Sequence, residues 1–164
     1  MNELHEQYRI TDTHFFFWNT PYSQWHSSEF EEDGIVYENA EKYMMVQKAK
    51  LFDDNEIVEK MLRTTNPKTV KSLGRQVKNF SDSIWIENRM KIVERGNYLK
   101  FTQNPKILEF MKKHKDLILV EASPHDKIWG IGIHFNDERV LNEKNWKGLN
   151  LLGKALMTVR DEII

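Results

Sequence analysis

The chain contains no cysteine among its 164 residues. A disulfide framework, a thiol nucleophile and a cysteine-ligated zinc site are therefore excluded. Glycine and proline are also scarce, at seven and four residues, and they form no linker-like stretch. Because no internal repeat or low-complexity tract occurs either, we expect one compact domain over residues 1–164, with residues 1–13 as a loose N-terminal extension.

Long apolar runs and an excess of one charge are missing as well. No stretch approaches the ~20 apolar residues needed to span a bilayer, and the first residues lack the pattern of a signal peptide. The net charge of −1 gives no general attraction to nucleic acid or to an anionic membrane. The six histidines show no metal-like spacing. We expect a cytoplasmic protein with no membrane partner, metal or cofactor.

The pattern of caps and apolar residues predicts a mostly helical fold with a few short β-strands. Asp33-Gly34 indicates a hairpin turn, and the apolar run 117–121 indicates a strand. Asn, Ser or Asp followed by apolar residues at helical spacing marks the start of each predicted helix. These helices cover 39–52, 54–64, 67–74 and 82–99, with two more that begin near Asn104-Pro105 and Asn150.

The first long helix carries two charges within its apolar stripe. Glu41 and Lys48 lie about two turns apart, ~10.5 Å along the axis, among residues that include Met44 and Met45. An unpaired buried charge is costly, so such side chains need partners or must line a cavity. Either they converge on one ligand, or each pairs with a neighbouring helix.

The loop after the predicted strand 117–121 contains the most informative motif, Ser123-Pro-His-Asp-Lys-Ile-Trp-Gly-Ile-Gly132. Asp126 offers acid–base or hydroxyl-binding chemistry, and Trp129 offers a flat face for a nucleobase. Gly130 and Gly132 allow close approach of the backbone to a ligand. The alternative is an aspartate that caps a turn beside a core tryptophan.

Further candidates are weaker. Residues 60–80 include six cations and no acidic residue, which favours phosphate binding at Arg75 or a solvated basic face. Three other segments combine polar side chains with aromatic residues or a helix start, and each is equally typical of a turn, a linker or a cap. They supply Ser23 and Gln24, Lys100 and Asn104, and Asn150.

Several of these segments together resemble the YbiA-like, or NADAR, superfamily of N-glycosidases. The resemblance runs in order from about Phe15 to Arg160. It is carried by Pro21-Tyr-Ser-Gln-Trp25, Tyr37-Glu-Asn-Ala-Glu41-Lys-Tyr-Met-Met-Val-Gln47-Lys48-Ala49, Leu73-Gly-Arg75, Trp85 with Arg89, Lys100-Phe-Thr-Gln-Asn104, Asp126-Lys-Ile-Trp-Gly-Ile-Gly132, Gly148-Leu-Asn150-Leu-Leu-Gly153 and Leu156-Met-Thr-Val-Arg160.

The resemblance implies a compact, mostly helical domain that hydrolyses an N-glycosidic bond to a ribose phosphate. By resemblance, Glu41, Lys48 and Asp126 are the catalytic residues. The substrate-binding residues are then Ser23, Gln24, Arg75, Trp85, Lys100, Asn104, Trp129, Gly130, Gly132 and Asn150. One departure is Lys42, because many relatives carry histidine at that position.

The expected substrate is a small nucleotide such as a phosphoribosylamino-pyrimidine of riboflavin synthesis. Nucleic acid is expected as a partner only if it is ADP-ribosylated, in which case the enzyme removes ADP-ribose from guanine. Two non-catalytic alternatives remain open: a module that binds ADP-ribose or a nucleotide, and a helical interaction protein.

Overall fold

The computed structural model describes all residues, 1–164. The strands are β1 (Asn2–Leu4), β2 (Tyr8–Thr11), β3 (His14–Phe17), β4 (Phe30–Glu32), β5 (Ile35–Tyr37) and β6 (Ile118–Glu121). The helices are α1 (Ala40–Leu51), α2 (Asn55–Leu62), α3 (Pro67–Gly74), α4 (Asp82–Thr102), α5 (Pro105–Lys113) and α6 (Leu151–Ile163). Six helices with a few short strands confirm the predicted fold class. None of the helices combines the length and apolar character needed to traverse a lipid bilayer.

The chain divides into two compact units. Unit 1 comprises residues 1–26 and 105–164, and unit 2 comprises residues 27–104. Unit 1 therefore consists of two separate stretches of chain, whereas unit 2 is continuous.

Unit 1 is built on a four-stranded sheet in the order β1-β2-β3-β6. The first three strands pair antiparallel, and β3 pairs with β6 in parallel, with Phe15 opposite Leu119 and Phe17 opposite Glu121. Residues 1–13 are not the loose extension that the sequence predicted. They form β1 and β2, because Tyr8–Thr11 pairs with β3 on one side and with Asn2–Leu4 on the other.

Strand β3 is buried on both faces, which explains its unbroken run of phenylalanines. Phe16 belongs to a cluster that includes Val120, Ile131 and Val140, with Trp146 packed against it. On the other face, Phe15 and Phe17 contact Tyr22, with ring centroids 5.5 and 5.3 Å apart. The strand is thus held by packing on both sides in the middle of unit 1, and its carboxyl end gives the segment that follows a fixed starting point.

Unit 2 is organised around α1, which packs against α2, α3, α4 and β5. The helix begins where Asn39 Oδ1 accepts a hydrogen bond from the Lys42 amide at 2.8 Å. Asp33 and Gly34 take φ of 54° and 81° in the β4–β5 turn, as expected for the Asp-Gly hairpin. Because α1 has neighbours on most sides, the single apolar stripe predicted for it is too narrow, and Lys42 and Val46 are buried too.

Candidate functional site

The amine of Lys48 contacts three groups within unit 2, one backbone carbonyl and two aromatic rings. Its Nζ donates a hydrogen bond to the carbonyl oxygen of Gly74 at 2.9 Å. It also lies 4.7 Å from the ring centroid of Phe80 and 5.7 Å from that of Trp85. Burial lowers the pKa of Lys48, and the negative charge of Glu41 acts in the opposite direction. A lysine of lowered pKa is suited to nucleophilic attack or to proton transfer.

The packing of α1 against α3 and α4 places two of these groups, the Gly74 carbonyl and the Trp85 ring, beside Lys48. Gly74 is the last residue of α3, and a Cβ there would lie 2.3 Å from Sδ of Met45 on α1. Glycine therefore leaves room for the Met45 side chain beside the α3 terminus, whose free carbonyl accepts the hydrogen bond from Lys48. Trp85 extends from the first turn of α4 and is 9% exposed.

Glu41 is buried at 8% exposure and lies on the same face of α1 as Lys48, two turns earlier. The next residue, Lys42, has a different role. Its Nζ forms an ion pair with Glu38 Oε2 at 2.8 Å and donates to the Thr64 carbonyl at 2.9 Å. Where the resemblance leads us to expect histidine, this chain therefore has a buried lysine that braces the start of α1.

The basic block of residues 60–80 is only partly neutralised. Lys60 and Lys78 share Glu56, and Arg63 pairs with Glu59. Arg75 follows Gly74 directly, and its exposed side chain makes no ion pair or hydrogen bond. The cation predicted to contact phosphate is thus available to a ligand, next to the carbonyl that holds Lys48.

Two other predicted binding residues of unit 2 are more deeply placed. Lys100 is fully buried, and this burial lowers its pKa to about 7. Asn104 donates its side-chain amide to the carbonyls of Glu29 and Lys100, at 2.9 and 2.7 Å. Asn104 thus joins the end of α4 to the segment before β4.

In unit 1, the predicted binding segments leave the sheet at one edge. Strands β3 and β6 are parallel, so their carboxyl ends lie side by side. The turn with Ser23 and Gln24 follows β3, and the loop with Asp126 and Trp129 follows β6. Ser23 and Gln24 are both 6% exposed. Loops at such an edge are a usual location for binding residues on a rigid scaffold.

Asp126 organises the loop after β6. Its Oδ1 accepts hydrogen bonds from the backbone amides of Ile128 and Trp129, at 2.9 and 2.8 Å. Asp126 therefore does cap a turn, which is part of the alternative that the sequence left open for this residue. The other carboxylate oxygen, Oδ2, has no hydrogen-bond partner, and Trp129 is half-buried. One side of the carboxylate shapes the loop, and the other remains available for chemistry.

The glycines of this loop are explained by packing within unit 1. Five backbone hydrogen bonds join residues 127–131 to residues 147–152, so the two segments lie side by side. A Cβ on Gly130 would lie 2.9 Å from the Glu121 carbonyl oxygen, and one on Gly148 would lie 2.2 Å from that of Gly130. Gly132 has a φ of 71°, which favours glycine.

Asn150 does not cap α6 with its side chain, although it occupies the N-cap position. Its Oδ1 accepts from the Glu121 amide and its Nδ2 donates to the Leu119 carbonyl, both at 3.0 Å. Asn150 has a φ of 52° and is 3% exposed. The predicted ligand-binding residue thus braces β6, which positions the loop that begins there.

Two aromatic residues that lie near these candidates, Phe80 and Trp18, were not singled out from the sequence. Phe80 contacts Lys48 in unit 2, as described above. In unit 1, Trp18 follows β3, and its ring centroid is 5.7 Å from that of His125 and 5.4 Å from that of His134. No group of three or more histidine and carboxylate side chains is arranged to hold a metal ion.

Comparison with known proteins identifies the family. The model of the NADAR domain matches residues 15–164. The chain belongs to the NADAR domain family. Over 146 residues, this NADAR chain is 41% identical to N-glycosidase R617 of Acanthamoeba polyphaga mimivirus, with 86% of each protein covered.

Two further relatives are more distant. Over 132 residues, the NADAR chain is 29% identical to the chloroplastic riboflavin biosynthesis protein PYRR of Zea mays. That match covers 78% of this chain but only 19% of the maize protein. The NMR structure of E. coli YbiA matches with a TM-score of 0.76 and 23% identity, covering 97% of this chain and 89% of YbiA. This likeness shows that the two share a fold, as the sequence predicted.

Proposed function

We propose that this NADAR chain is an N-glycosidase. Its substrate is a ribose-phosphate-bearing pyrimidine or purine, and the enzyme hydrolyses the C–N bond between sugar and base. Membership of the NADAR family and the relatives named N-glycosidase support the reaction class. In this chain, the structural observation that supports N-glycosidase activity is the environment of Lys48. It presents an amine of lowered pKa two helical turns from the buried carboxylate of Glu41.

The proposed substrate is a small free nucleotide, such as a phosphoribosylamino-pyrimidine of riboflavin synthesis. Relatives that carry riboflavin biosynthesis in their names support this choice. The net charge of −1 also favours a small molecule over duplex nucleic acid, which usually requires a broad basic face. We place the enzyme in the cytoplasm, with no membrane partner.

Each proposed catalytic residue has a defined task. Cleavage of the C–N bond develops positive charge on the sugar and requires a proton for the departing base. Glu41 and Asp126 supply the acid, base and hydroxyl-holding roles, and Trp129 stacks on the base. Arg75 binds the phosphate, a role that its exposed and unpartnered guanidinium supports.

Lys48 acts either as a charge that stabilises the transition state or as a nucleophile. In the nucleophilic route, the neutral amine attacks C1′, the C–N bond to the base breaks, and the base leaves with a proton from the acid. The bond between C1′ and the ring oxygen O4′ then breaks as Nζ loses a proton and O4′ gains one, and the opened sugar is held as a Schiff base on Nζ. Water adds to C1′ and releases ribose phosphate and the free amine, so that one water is consumed overall.

Two incubations test the proposal, one with a phosphoribosylamino-pyrimidine and one with ADP-ribosylated guanosine, each followed by chromatography. We expect free base and ribose phosphate from the first. Glu41→Gln is expected to lower the rate by about 10²–10⁴-fold, the usual effect of losing a general acid or base. Release only from the guanosine substrate assigns the enzyme to removal of ADP-ribose instead.

Tight binding without release of base contradicts the proposal and identifies a binding module. Borohydride added during turnover distinguishes the two roles of Lys48. A covalent sugar adduct that is absent in Lys48→Met establishes the Schiff base, and the lack of any adduct leaves the electrostatic role. Exposed Lys50 on the same helix provides the control variant, Lys50→Met, which is expected to keep the full rate.

A further inference from the structure

Phe80 is an exposed aromatic residue beside the proposed catalytic amine. It lies in the connection between α3 and α4, and its side chain is 45% exposed. Its ring centroid is 4.7 Å from Lys48 Nζ, closer than that of Trp85 at 5.7 Å. A cation within about 6 Å of a ring face is attracted by the ring quadrupole. Nothing in the proposed reaction yet uses this ring.

The connection that carries Phe80 is held in place by the two residues before it. Asp54 Oδ2 accepts the backbone amide of Lys78 at 2.9 Å, which anchors the connection to the start of α2. Asn79 has a φ of 58°, a left-handed conformation that asparagine tolerates well, and it turns the chain just before Phe80. The Phe80 ring then rests against Phe52, with centroids 5.3 Å apart. The ring is therefore positioned on the end of α1 by the backbone and by packing.

We infer that Phe80 is a positioning residue for Lys48, holding the ammonium at the Gly74 carbonyl with the face of its ring. This inference rests on the proposed function, in which Lys48 takes part in catalysis. The groups that face Lys48 are Glu41 from its own helix, the Gly74 carbonyl from α3, Trp85 from α4 and Phe80 from the connection. Among them Glu41 is the charged one, and Phe80 is the exposed one.

Two substitutions distinguish the effect of the aromatic face of Phe80 from the effect of its apolar volume. Phe80→Tyr keeps an aromatic face, whereas Phe80→Leu keeps an apolar side chain without the quadrupole. Competitive labelling of the folded protein with trace acetic anhydride, read by peptide mass spectrometry across pH, measures the titration of Lys48. Ile86→Ala, at an exposed apolar position of α4 that is 47% exposed, is the matched control.

Loss of the ring face removes an attraction that favours the charged amine, so we expect Phe80→Leu to move the Lys48 midpoint to lower pH. The neutral fraction below that midpoint should rise about two- to fivefold, the change that an exposed cation–π contact corresponds to. Phe80→Tyr and Ile86→Ala should leave the midpoint in place. With substrate, Phe80→Leu should lower kcat and leave KM unchanged.

An unchanged midpoint in Phe80→Leu, or a shift to higher pH, overturns the role of Phe80. An equal shift in Ile86→Ala does so too, because it shows an effect that is not specific to the ring. The labelling needs no substrate. A parent enzyme that releases no base therefore contradicts the proposed function, while the midpoints still decide the contact between Phe80 and Lys48.

Discussion

The carboxylate of Asp126 accepts the backbone amide of Trp129 at 2.8 Å, so one residue of the loop after β6 sets the position of the other. The same oxygen accepts the Ile128 amide, while Oδ2 is unpartnered. A residue arranged in this way has two separable roles. One role shapes the turn, and the other offers a charge for catalysis.

Asp126→Asn separates these roles, because asparagine keeps the acceptor at Oδ1 and removes the charge. We expect a free energy of unfolding within ~0.5 kcal/mol of the parent and a rate of base release at least ~100-fold lower. Asp126→Ala should cost about 1 kcal/mol, since both amide acceptors are lost. Urea unfolding and the chromatographic assay measure the two effects. A full rate in Asp126→Asn would assign this residue to the turn alone.

Gly148→Ala tests whether the loop glycines serve packing. The new methyl group would lie 2.2 Å from the Gly130 carbonyl oxygen and 2.7 Å from Cα of Lys127. These are backbone atoms, which cannot rotate away, so we expect a loss of about 3 kcal/mol. Gly34→Ala is the comparison, because that site is open and only its φ of 81° opposes a side chain. It should cost about 1–2 kcal/mol, and an equal or larger loss there would contradict the packing explanation.

Lys42→Met tests the position at which the resemblance leads us to expect histidine. Methionine keeps an unbranched side chain of similar length but loses the ion pair to Glu38 and the bond to the Thr64 carbonyl. We expect the free energy of unfolding to fall by about 1–3 kcal/mol. The rate of base release per folded molecule should remain close to that of the parent. A large drop in that rate, measured well below the unfolding midpoint, would instead place Lys42 in proton transfer.

Lys100 should make stability depend on pH. Burial lowers its pKa in the folded chain to about 7, well below the value of 10.5 that is typical of an exposed lysine. Between these values the unfolded chain binds the additional proton, so the free energy of unfolding contributed by this group rises with pH. The cost of charging Lys100 in the folded chain is fully present below pH 7 and disappears towards pH 10.

Lys100→Met should remove this slope. Its stability relative to the parent should therefore be greatest near pH 6.5 and decline as the pH approaches 10. Urea unfolding of both proteins at several pH values measures the difference and cancels the other titrating groups. A difference that stays constant with pH would show that Lys100 titrates alike in the folded and unfolded chains.

The helices were predictable because their signals are local. Asn39, Asn66 and Ser81 accept amides of the first helical turn, as their positions in the sequence indicate. Strands β1 and β2 were not predicted, since they are short and depend on pairing with β3. The parallel pairing of β3 with β6 joins segments about 100 residues apart, and local patterns carry no information on such a pair.

The same difference between local signals and long-range contacts applies to the candidate site. Glu41 and Lys48 were found because charges on an apolar helix face stand out in the sequence. The sequence could not show that neighbours surround α1, so it gave no reason to expect Lys42 to be buried as well. Phe80 was missed because an aromatic residue in a basic connection has no periodic signal. The bracing role of Asn150 depends on contacts with a strand about 30 residues earlier.

Unit 2 begins and ends at neighbouring points. Gln103 exchanges two hydrogen bonds with the backbone of Glu31, and Asn104 donates to the Glu29 carbonyl. Once residues 27–104 have folded, the two halves of unit 1 are joined by a short bridge in place of a flexible loop of nearly eighty residues. Closing a flexible loop of that length costs about 2–3 kcal/mol more in entropy than closing a loop of a few residues. The folding of unit 2 removes this additional cost from the folding of unit 1.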